Sequence, residues 1–292
     1  MTEVPHLIAA SLPLRRDMHV ANTRLSIIDE GEGEVVLLLH GYPQSLLTWR
    51  HQIPHLSQRA RVIAPDWFGW GLSERGFATP ARYWDEVGRI GLLLDALDVE
   101  RCTLVGHDYG GFLGLGFAIQ HPDRVDRLSI INSRAHRTFP QPTYAQFAIL
   151  CAMARVPGLR QLVHQVPLGR LNKALLQRHV RQGCFDDALL DHYVGWMDTA
   201  QGRRWMTHFF RYYQMPARRD LDRAIERIVC PTTIIWGDKD PYCPVEIGCD
   251  LAARIPGAQM VPIKGADHYV MEQRPDEVLA ALTSFLERPV MR

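Results

Sequence analysis

The stretch LVGHDYGG, residues 104–111, places an aspartate between two glycines, each two positions away. The G-x-D-x-G spacing is that of a nucleophile elbow, a sharp turn from a strand into a helix that presents its central side chain. A strained backbone at the centre of such a turn crowds any Cβ two positions away, and glycine has none. We therefore predict that Asp108 lies at a strand-to-helix turn. Because a lone match to this spacing is weak, the surrounding sequence decides its meaning.

The composition is typical of a globular domain. The 292 residues are 47% hydrophobic and 22% charged, with a formal net charge of +1, so neither nucleic acid nor a membrane is expected as a partner. The longest apolar runs, such as 35–39, are too short to span a bilayer. No secretory signal is visible in residues 1–14, and the six cysteines show no C-x-x-C spacing. We expect a cytoplasmic protein with reduced thiols.

Strands and helices alternate over most of the chain. Hydrophobic runs of strand length occur at 23–29, 35–39, 60–64, 102–105, 125–131, 232–236 and 259–262. Helical spacing of apolar residues occurs at 87–97, 110–120, 245–253 and 275–286. This alternation predicts an α/β fold, a mostly parallel sheet flanked by helices.

The alternation stops between residues 133 and 222, where only helical segments and turns are predicted. We expect residues 1–132 and 223–292 to form one core domain, and residues 133–222 to form an inserted helical cap, or lid. Residues 134–227 hold 15 Lys and Arg against 7 Asp and Glu, a balance of +8. An anionic substrate could exploit this excess, although a solvated, arginine-rich helical surface also explains it.

Three further motifs accompany the elbow. The stretch HGYP, residues 40–43, follows a strand, where a backbone N–H can face a developing oxyanion. Asp240 closes the stretch WGDKD after a later strand, and His268 closes GADH before the last helix. Nucleophile, acid and histidine in this chain order are typical of an α/β-hydrolase triad.

From about Arg24 to Leu286, the chain resembles the α/β-hydrolase fold. Within it, the four motifs resemble the aspartate-nucleophile branch of epoxide hydrolases and haloalkane dehalogenases. The loop DWFGWGLS, residues 66–73, also resembles a D-x-x-G-x-G-x-S stretch that is common in that branch.

An aspartate at the elbow implies a different reaction from that of a serine. It is already an anion at pH 7 and can attack a saturated carbon, which gives an alkyl-enzyme ester. His268 would then activate a water, with Asp240 to orient and stabilise it. The backbone N–H groups of Tyr42 and Tyr109 would hold the oxyanion. This chemistry needs a small, fairly apolar substrate and water, and implies no metal and no organic cofactor.

Several assignments have competitors. An aspartate after a strand can also simply cap the next helix. Asp238 lies two residues before Asp240, and the resemblance to the family's G-x-x-D spacing favours Asp240. Some relatives place the acid after the preceding strand, where this chain has Asn132. His40 and His107 are predicted to be structural, with His40 as a hydrogen-bonding group in its loop.

The leaving group separates the two branches. An epoxide oxygen needs a proton, usually from tyrosine, whereas a halide is held by N–H donors, usually of tryptophan or asparagine. Dehalogenases commonly have tryptophan where this chain has Tyr109, and asparagine where it has Tyr42. Both differences favour the epoxide. The cap stretch FFRYY, residues 209–213, resembles the segment that supplies a proton-donating tyrosine, and its register favours Tyr213. Other candidate contacts to substrate or leaving group are Tyr212, Tyr144, Trp196, Trp205, His40 and, more weakly, Tyr193.

Other activities fit less well. Fluoroacetate dehalogenases resemble the chain at residues 40–44, but they clamp a carboxylate with arginines shortly after the nucleophile, and residues 109–116 contain none. Carboxylic-ester hydrolysis would require Asp108 to replace a serine in function. A non-catalytic ligand-binding protein would keep the fold, but the intact acid, base and oxyanion positions speak against it. We predict an epoxide hydrolase that gives a vicinal diol, with haloalkane dehalogenase as the alternative.

Overall fold

The computed structural model describes residues 14–78, 80–134, 145–213 and 219–289. One eight-stranded sheet forms the centre of the described fold. Its strands are β1 (Arg16–Val20), β2 (Thr23–Glu30), β3 (Val35–Leu39), β4 (Arg61–Pro65), β5 (Cys102–His107), β6 (Val125–Ile131), β7 (Thr232–Gly237) and β8 (Gln259–Ile263).

The strands lie in the order β1-β2-β4-β3-β5-β6-β7-β8. From β4 to β8 every neighbouring pair is parallel, whereas β2 runs antiparallel to both β1 and β4. The predicted, mostly parallel sheet is therefore confirmed. The first strand was missed because the stretch RDMHV has only two apolar side chains, as expected for an exposed edge strand.

Central strands are apolar because both faces of the sheet are covered. All six residues of β5 and all six of β7 are buried. The covering helices are α1 (Ile53–Leu56), α2 (Tyr83–Ala96), α3 (Tyr109–Gln120), α10 (Val245–Arg254), α11 (Val270–Gln273) and α12 (Pro275–Leu286). Since parallel strands end at one edge of the sheet, the loops after β3, β5, β6, β7 and β8 meet there.

The helices between β6 and β7 form a separate layer, the helical insert. They are α4 (Ala145–Arg155), α5 (Pro157–Gln165), α6 (Leu168–Arg181), α7 (Asp187–Val194), α8 (Ala200–Tyr212) and α9 (Arg219–Ala224). Short 3₁₀ turns lie at Leu46–Trp49, Pro122–Arg124, Gly195–Asp198 and Ile225–Arg227. The part of the insert that the structure describes contains no strand, and its proposed boundaries at residues 133 and 222 stay a prediction.

A buried carboxylate joins the insert to the core. Glu272, in α11, accepts hydrogen bonds from the side chains of Gln44, Thr48 and Arg50 in the core. It also accepts one of 3.1 Å from the Tyr193 hydroxyl of the insert. Arg50 donates in turn to the carbonyl oxygen of Cys184, again in the insert. Several donors thus offset the cost of burying this charge.

None of the described helices combines the length and the hydropathy that a membrane-spanning segment requires.

Candidate active site

Asp108 occupies the predicted turn between β5 and α3. Its backbone has φ 46° and ψ −109°, in a region that non-glycine residues rarely adopt. A Cβ on Gly106 would lie 2.5 Å from the carbonyl oxygen of Gly110, and one on Gly110 would lie 2.2 Å from that of Leu39. The two glycines of the motif therefore let α3 start directly against the sheet.

Hydrogen bonds hold the strained turn in place. The backbone N–H of Asp108 donates to the Ile131 carbonyl oxygen at 3.2 Å. The carbonyl oxygen of Asp108 accepts from the Phe112 N–H at 3.0 Å and from the Ser133 hydroxyl at 2.6 Å. The side chain is thereby fixed at the carboxyl edge of the sheet.

His268 lies between two carboxylates. Its Nδ1 is 2.7 Å from Asp240 Oδ2, and since a carboxylate only accepts, Nδ1 carries the hydrogen. Its Nε2 lies 3.9 Å from Asp108 Oδ2. All three side chains are buried, so the structure brings together the acid, base and nucleophile that the sequence suggested.

Asp240 is fixed by donors on both of its oxygens. Oδ2 also accepts from the Asn132 side-chain amide at 2.7 Å, and Oδ1 accepts from the N–H groups of Tyr242 and Cys243 at 2.7 and 2.9 Å. Asn132, the residue in the competing position, thus supports Asp240. Asp238 instead binds the exposed Gly265 N–H at 2.7 Å.

Neighbouring charges shift the pKa values of Asp108 and His268 in opposite directions. Burial raises the pKa of Asp108, but the nearby Arg134 and His268 outweigh it, and the pKa lies at about 2. Burial lowers the pKa of His268, but the carboxylate of Asp240 outweighs it and raises the pKa well above its usual value. Asp108 is therefore an anion across the physiological range.

Tyr42 and Tyr109, the residues predicted to hold an oxyanion, lie next to Asp108. The Tyr42 N–H donates to Asp108 Oδ1 at 2.9 Å. Tyr109 is the first residue of α3, so its N–H has no acceptor within the helix. The Tyr42 hydroxyl is paired with the Asn172 side chain of the insert.

Arg134 is a site residue that the sequence prediction missed. Its Nη2 lies 3.3 and 3.2 Å from the two carboxylate oxygens of Asp108, and both side chains are buried. The guanidinium Cζ lies 5.3 to 5.9 Å from the ring centres of Tyr109, Phe112 and Tyr213. It follows β6 by three residues, and only the sheet order, with β6 beside β5, places it next to Asp108.

A cavity of about 150 Å³ opens on Asp108 and His268. The core contributes its polar lining, and the insert contributes a mostly apolar wall. The described lining residues are Tyr42, Pro43, Asp108, Arg134, Gln146, Phe147, Leu150, Leu168, Leu171, Asn172, Leu175, Leu176, Tyr242, His268 and Tyr269. Asp108 is the one acid and Arg134 the one permanent cation among them.

Tyr213 lies beside this cavity without lining it. Its ring centre is 5.8 Å from that of Tyr109 and 5.4 Å from that of Phe147. Its hydroxyl is buried and has no hydrogen-bond partner within the described part of the chain. It therefore lies beside the residue that follows Asp108, with an unused proton donor.

The other candidate contacts lie elsewhere. His40 accepts from the Trp67 N–H and faces the Gly41 carbonyl oxygen, as expected of a loop-organising residue. Trp196, Trp205 and Tyr212 are also absent from the described lining of the cavity, and their rings pack against other groups. Trp196 packs on Arg75 and Trp70, Trp205 on Gly69 and His208, and Tyr212 on His208 and Arg211.

The last two candidates in the predicted cap are tyrosines. Tyr193 donates to Glu272, which gives it a structural partner. Tyr144 lies outside the described residues.

One group of metal-binding side chain types occurs among the described residues: Asp240, Cys243 and His268. The Nδ1 of His268 and Oδ2 of Asp240 are already in direct hydrogen-bond contact. Burial raises the pKa of the Cys243 thiol to about 11, so it is not the thiolate that a metal prefers. The donor set fits a catalytic triad better than a metal site.

Comparison with known proteins agrees with the fold. The chain belongs to the α/β hydrolase fold family, whose sequence model matches residues 34–275. The fold and this membership make the chain an α/β-fold hydrolase.

Particular relatives have different activities. Haloalkane dehalogenase 2 of Mycobacterium tuberculosis is 29% identical over 273 residues, which cover 89% of this chain and 90% of that protein. The cis-3-alkyl-4-alkyloxetan-2-one decarboxylase of Xanthomonas campestris is 29% identical over 289 residues, which cover 90% and 92%. The structure of an epoxide hydrolase variant from Bacillus megaterium superposes with a TM-score of 0.77 at 25% identity, covering 94% of this chain and all of that one (100%).

Proposed function

We propose that the chain hydrolyses epoxides to vicinal diols through a covalent ester on Asp108. The observation that carries this proposal is the line of contacts from Asp240 through His268 to Asp108, with distances of 2.7 and 3.9 Å. A carboxylate with a pKa of about 2 is a nucleophile that needs no base, which leaves His268 available for a later step.

In the first step, a carboxylate oxygen of Asp108 attacks a ring carbon and the carbon–oxygen bond of the epoxide breaks. The ring oxygen takes a proton from a tyrosine hydroxyl, for which we propose Tyr213 of the insert, because its buried hydroxyl has no partner within the described chain and its ring packs against that of Tyr109. The products are a hydroxyalkyl ester on Asp108 and a phenolate. We propose that residues 133–222 act as the cap that brings this hydroxyl to the substrate.

In the second step, His268 removes a proton from water, and the oxygen attacks the ester carbonyl carbon of Asp108. The Tyr42 and Tyr109 N–H groups stabilise the oxyanion. The intermediate then expels the diol oxygen, which takes the proton from His268. The proton left on the Asp108 carboxyl returns to the phenolate through solvent, so one epoxide and one water give one diol.

The Asp108 ester also changes its neighbour. In the free enzyme, the Asp108 anion faces the His268 ring, and their interaction lowers the pKa of Asp108. The same interaction favours the protonated form of His268. Once Asp108 is an ester, that anion is gone and the pKa of His268 falls, at the stage where His268 must act as a base.

The test is the intact mass of the His268→Gln variant after incubation with epoxides and, separately, with alkyl bromides. Without its base, the second step stalls and the ester accumulates. A gain equal to the whole epoxide is the expected result. A gain equal to the bromide minus HBr, with no epoxide adduct, would replace the epoxide by a halide substrate.

Two variants control this experiment. The His208→Gln variant changes a half-buried histidine outside the described cavity lining and should turn over without accumulating an adduct. The double variant Asp108→Ala with His268→Gln should gain no mass. An adduct that survives this double change would refute Asp108 as the nucleophile.

Haloalkane dehalogenation is the second candidate, and one observation favours it. The guanidinium N–H groups of Arg134 line the cavity next to Asp108, and a halide ion is stabilised by such donors. The similarity to haloalkane dehalogenase 2 supports the same alternative.

A further inference from the structure

An ion pair joins the helical insert to the loop that carries His268. Arg178 lies in the last turn of α6, and its Nη2 is 3.1 and 3.4 Å from the two carboxylate oxygens of Asp267. Asp267 directly precedes His268, and its Oδ1 accepts from the His268 N–H at 2.6 Å. The Asp267 N–H donates to the Gln273 side chain at 2.7 Å. Through one carboxylate, the insert thus reaches the backbone of the histidine.

Arg178 also contacts a ring that packs against His268. Its guanidinium Cζ lies 5.2 Å from the ring centre of Tyr242, and that ring centre lies 5.1 Å from the ring centre of His268. The Tyr242 N–H is one of the donors that hold Asp240. A single side chain of the insert therefore contacts two core residues that hold the triad, Asp267 at the backbone of His268 and Tyr242 at its ring.

The guanidinium of Arg178 is held on two sides. Its Nε donates to His179 Nε2 at 3.1 Å, while Nη2 donates to Asp267. Burial and the Arg178 charge lower the pKa of His179 to about 3, so this ring is neutral at pH 7 and can accept. The side chain of Arg178 is 39% exposed, and an ion pair of such exposure adds little to the free energy of unfolding. We therefore look for its effect in the geometry of the site.

We propose that Arg178 is a positioning residue for His268, which makes ester breakdown depend on the docking of the insert against the core. This inference rests on the proposed function, since ester breakdown is the step that needs His268. The attack of Asp108 on the substrate does not use His268, and Asp108 is held by its own turn between β5 and α3. Loss of Arg178 should therefore slow the second step and spare the first.

The distances in the site explain why the position of His268 matters. Its Nε2 lies 3.9 Å from Asp108 Oδ2, and the attacking water must be within hydrogen-bond reach of Nε2 and also close to the ester carbon. Asp240 holds the ring through Nδ1, whereas Asp267 holds the backbone of the same residue. A displacement of about 1 Å can cost on the order of 100-fold in rate. A looser backbone should therefore slow the activation of water.

The first test measures the two steps separately, with saturating 1,2-epoxyhexane as the probe, or 1-bromohexane if only halides label the protein. Intact mass gives the esterified fraction during turnover. Turnover per esterified molecule is the rate of ester breakdown, and turnover per unmodified molecule is the rate of ester formation. Arg178→Gln should slow breakdown at least about tenfold and leave formation within about twofold. Equal rates of breakdown with and without Arg178 would overturn the proposal.

Two variants of the same helix turn control this measurement. Arg181→Gln makes the same change of charge at an exposed residue and should leave both steps unchanged. Arg178→Lys keeps a cation near Asp267 and should restore breakdown to within about threefold of the unchanged chain. If Arg181→Gln slows breakdown as much as Arg178→Gln does, the effect belongs to the charge of the insert, and the inference is refuted.

A double-mutant cycle tests whether Arg178 acts through Asp267. Asp267→Asn keeps the shape of the side chain without its charge and should also slow ester breakdown. Since both changes break one ion pair, the double variant should be no slower than the slower single variant. If the two factors multiply instead, the residues act independently, which contradicts the proposed path to His268.

Hydrogen exchange measures the same contact without any substrate. The His268 N–H is protected by its bond to Asp267, so exchange within residues 265–273 should be at least about threefold faster in Arg178→Gln and unchanged in Arg181→Gln. If Arg178→Gln fails to fold, Arg178→Met replaces it, because its apolar stem can still pack on Tyr242. Circular dichroism and thermal melting identify the variant to use.

The outcomes separate the two proposals. If the ester forms and its breakdown does not respond to Arg178, the ester mechanism stands and the role of Arg178 is refuted, even where exchange is faster. If no probe labels the protein, the ester mechanism fails. The exchange measurement then still decides whether Arg178 holds the backbone of His268, and unchanged exchange refutes it.

Discussion

The two walls of the cavity are built in opposite ways. On the sheet side, polar groups follow strand ends: Asp108 is held by a strained turn, Asp240 accepts from two backbone N–H donors, and Arg134 comes three residues after β6. On the insert side, side chains of helices form the wall, and Leu171 and Leu175 in α6 are still 48% and 60% exposed.

This difference separates two requirements. Bond making tolerates little displacement, so its groups need a rigid scaffold. Selection by shape tolerates more, because apolar contacts are non-directional. Apart from the roles proposed for Tyr213 and Arg178, the core wall should therefore control the rate of the chemical steps, and the apolar insert wall should control which tails are accepted.

The largest effect is expected at the nucleophile. Asp108→Ala removes the group that forms the ester, so kcat should fall by about 10⁶-fold. The measurement is turnover of whichever epoxide labels the His268→Gln variant. A loss of less than about 100-fold, in a protein that melts at the original temperature, would contradict the covalent role.

A smaller loss, on the order of 10⁴-fold in kcat, is expected for Asp240→Ala. The carboxylate of Asp240 raises the pKa of His268, so its removal lowers that pKa. Because water activation needs neutral His268, ester breakdown should rise with pH through this pKa, and its midpoint should move to lower pH in the variant. The pH dependence of ester decay measures this shift.

Asp238→Ala provides the matched control for that experiment. Its side chain binds only the exposed Gly265 N–H among the described contacts, so both kcat and the midpoint should stay within about twofold. An unchanged midpoint in Asp240→Ala would show that another group sets the basicity of His268.

The core wall should also be intolerant of a single methyl group. In Gly110→Ala, the new Cβ would lie 2.2 Å from the Leu39 carbonyl oxygen, so the turn must shift, with an expected loss of about 1–3 kcal/mol in unfolding free energy. Gly88→Ala is the control in the interior of α2. Apart from the neighbouring backbone of the same helix, no atom lies within 4 Å of the new Cβ, so this variant should gain about 1 kcal/mol in unfolding free energy. Urea unfolding compares the two, and equal effects would contradict the steric account.

The smallest effect is expected on the insert wall. Leu175→Ala removes part of an exposed apolar surface of the cavity, so KM for a substrate with an aliphatic tail should rise by roughly fivefold, with kcat and melting temperature unchanged. Leu162→Ala, at a similarly exposed leucine outside the described lining, should leave KM unchanged. If kcat fell instead, the apolar wall would affect the chemical steps as well.

Much of the core could be predicted from sequence because its signals are local. Hydrophobic runs located seven of the eight strands to within two residues at each end, and 35–39 and 125–131 match exactly the bounds of β3 and β6. Asp108, Asp240 and His268 could be found because each lies within three residues of a recognisable strand end or helix start. The sheet sets the position of a residue at a strand end, so that position can be predicted from the strand alone.

Arg134 and the cap aromatics could not be placed in this way. The resemblance to fluoroacetate dehalogenases points to arginines just after Asp108, in residues 109–116. The arginine at the site instead lies 26 residues after Asp108 and reaches it through the pairing of β5 with β6. For Trp196, Trp205 and Tyr212, helical spacing predicts the side on which the ring lies, but not the residues against which it packs. Their neighbours are set by tertiary packing, which no sequence spacing encodes.

Glu272 has a consequence for engineering by segment exchange. Three of its donors are core side chains, and the fourth is the hydroxyl of Tyr193 in the insert. A foreign insert grafted onto this core would have to carry a tyrosine at the equivalent position, or the graft would bury a carboxylate with one donor fewer. Chimaeras should therefore be chosen first for a tyrosine that can donate to Glu272, and only then for the length of the insert. We expect a single melting transition only in chimaeras that keep this hydrogen bond.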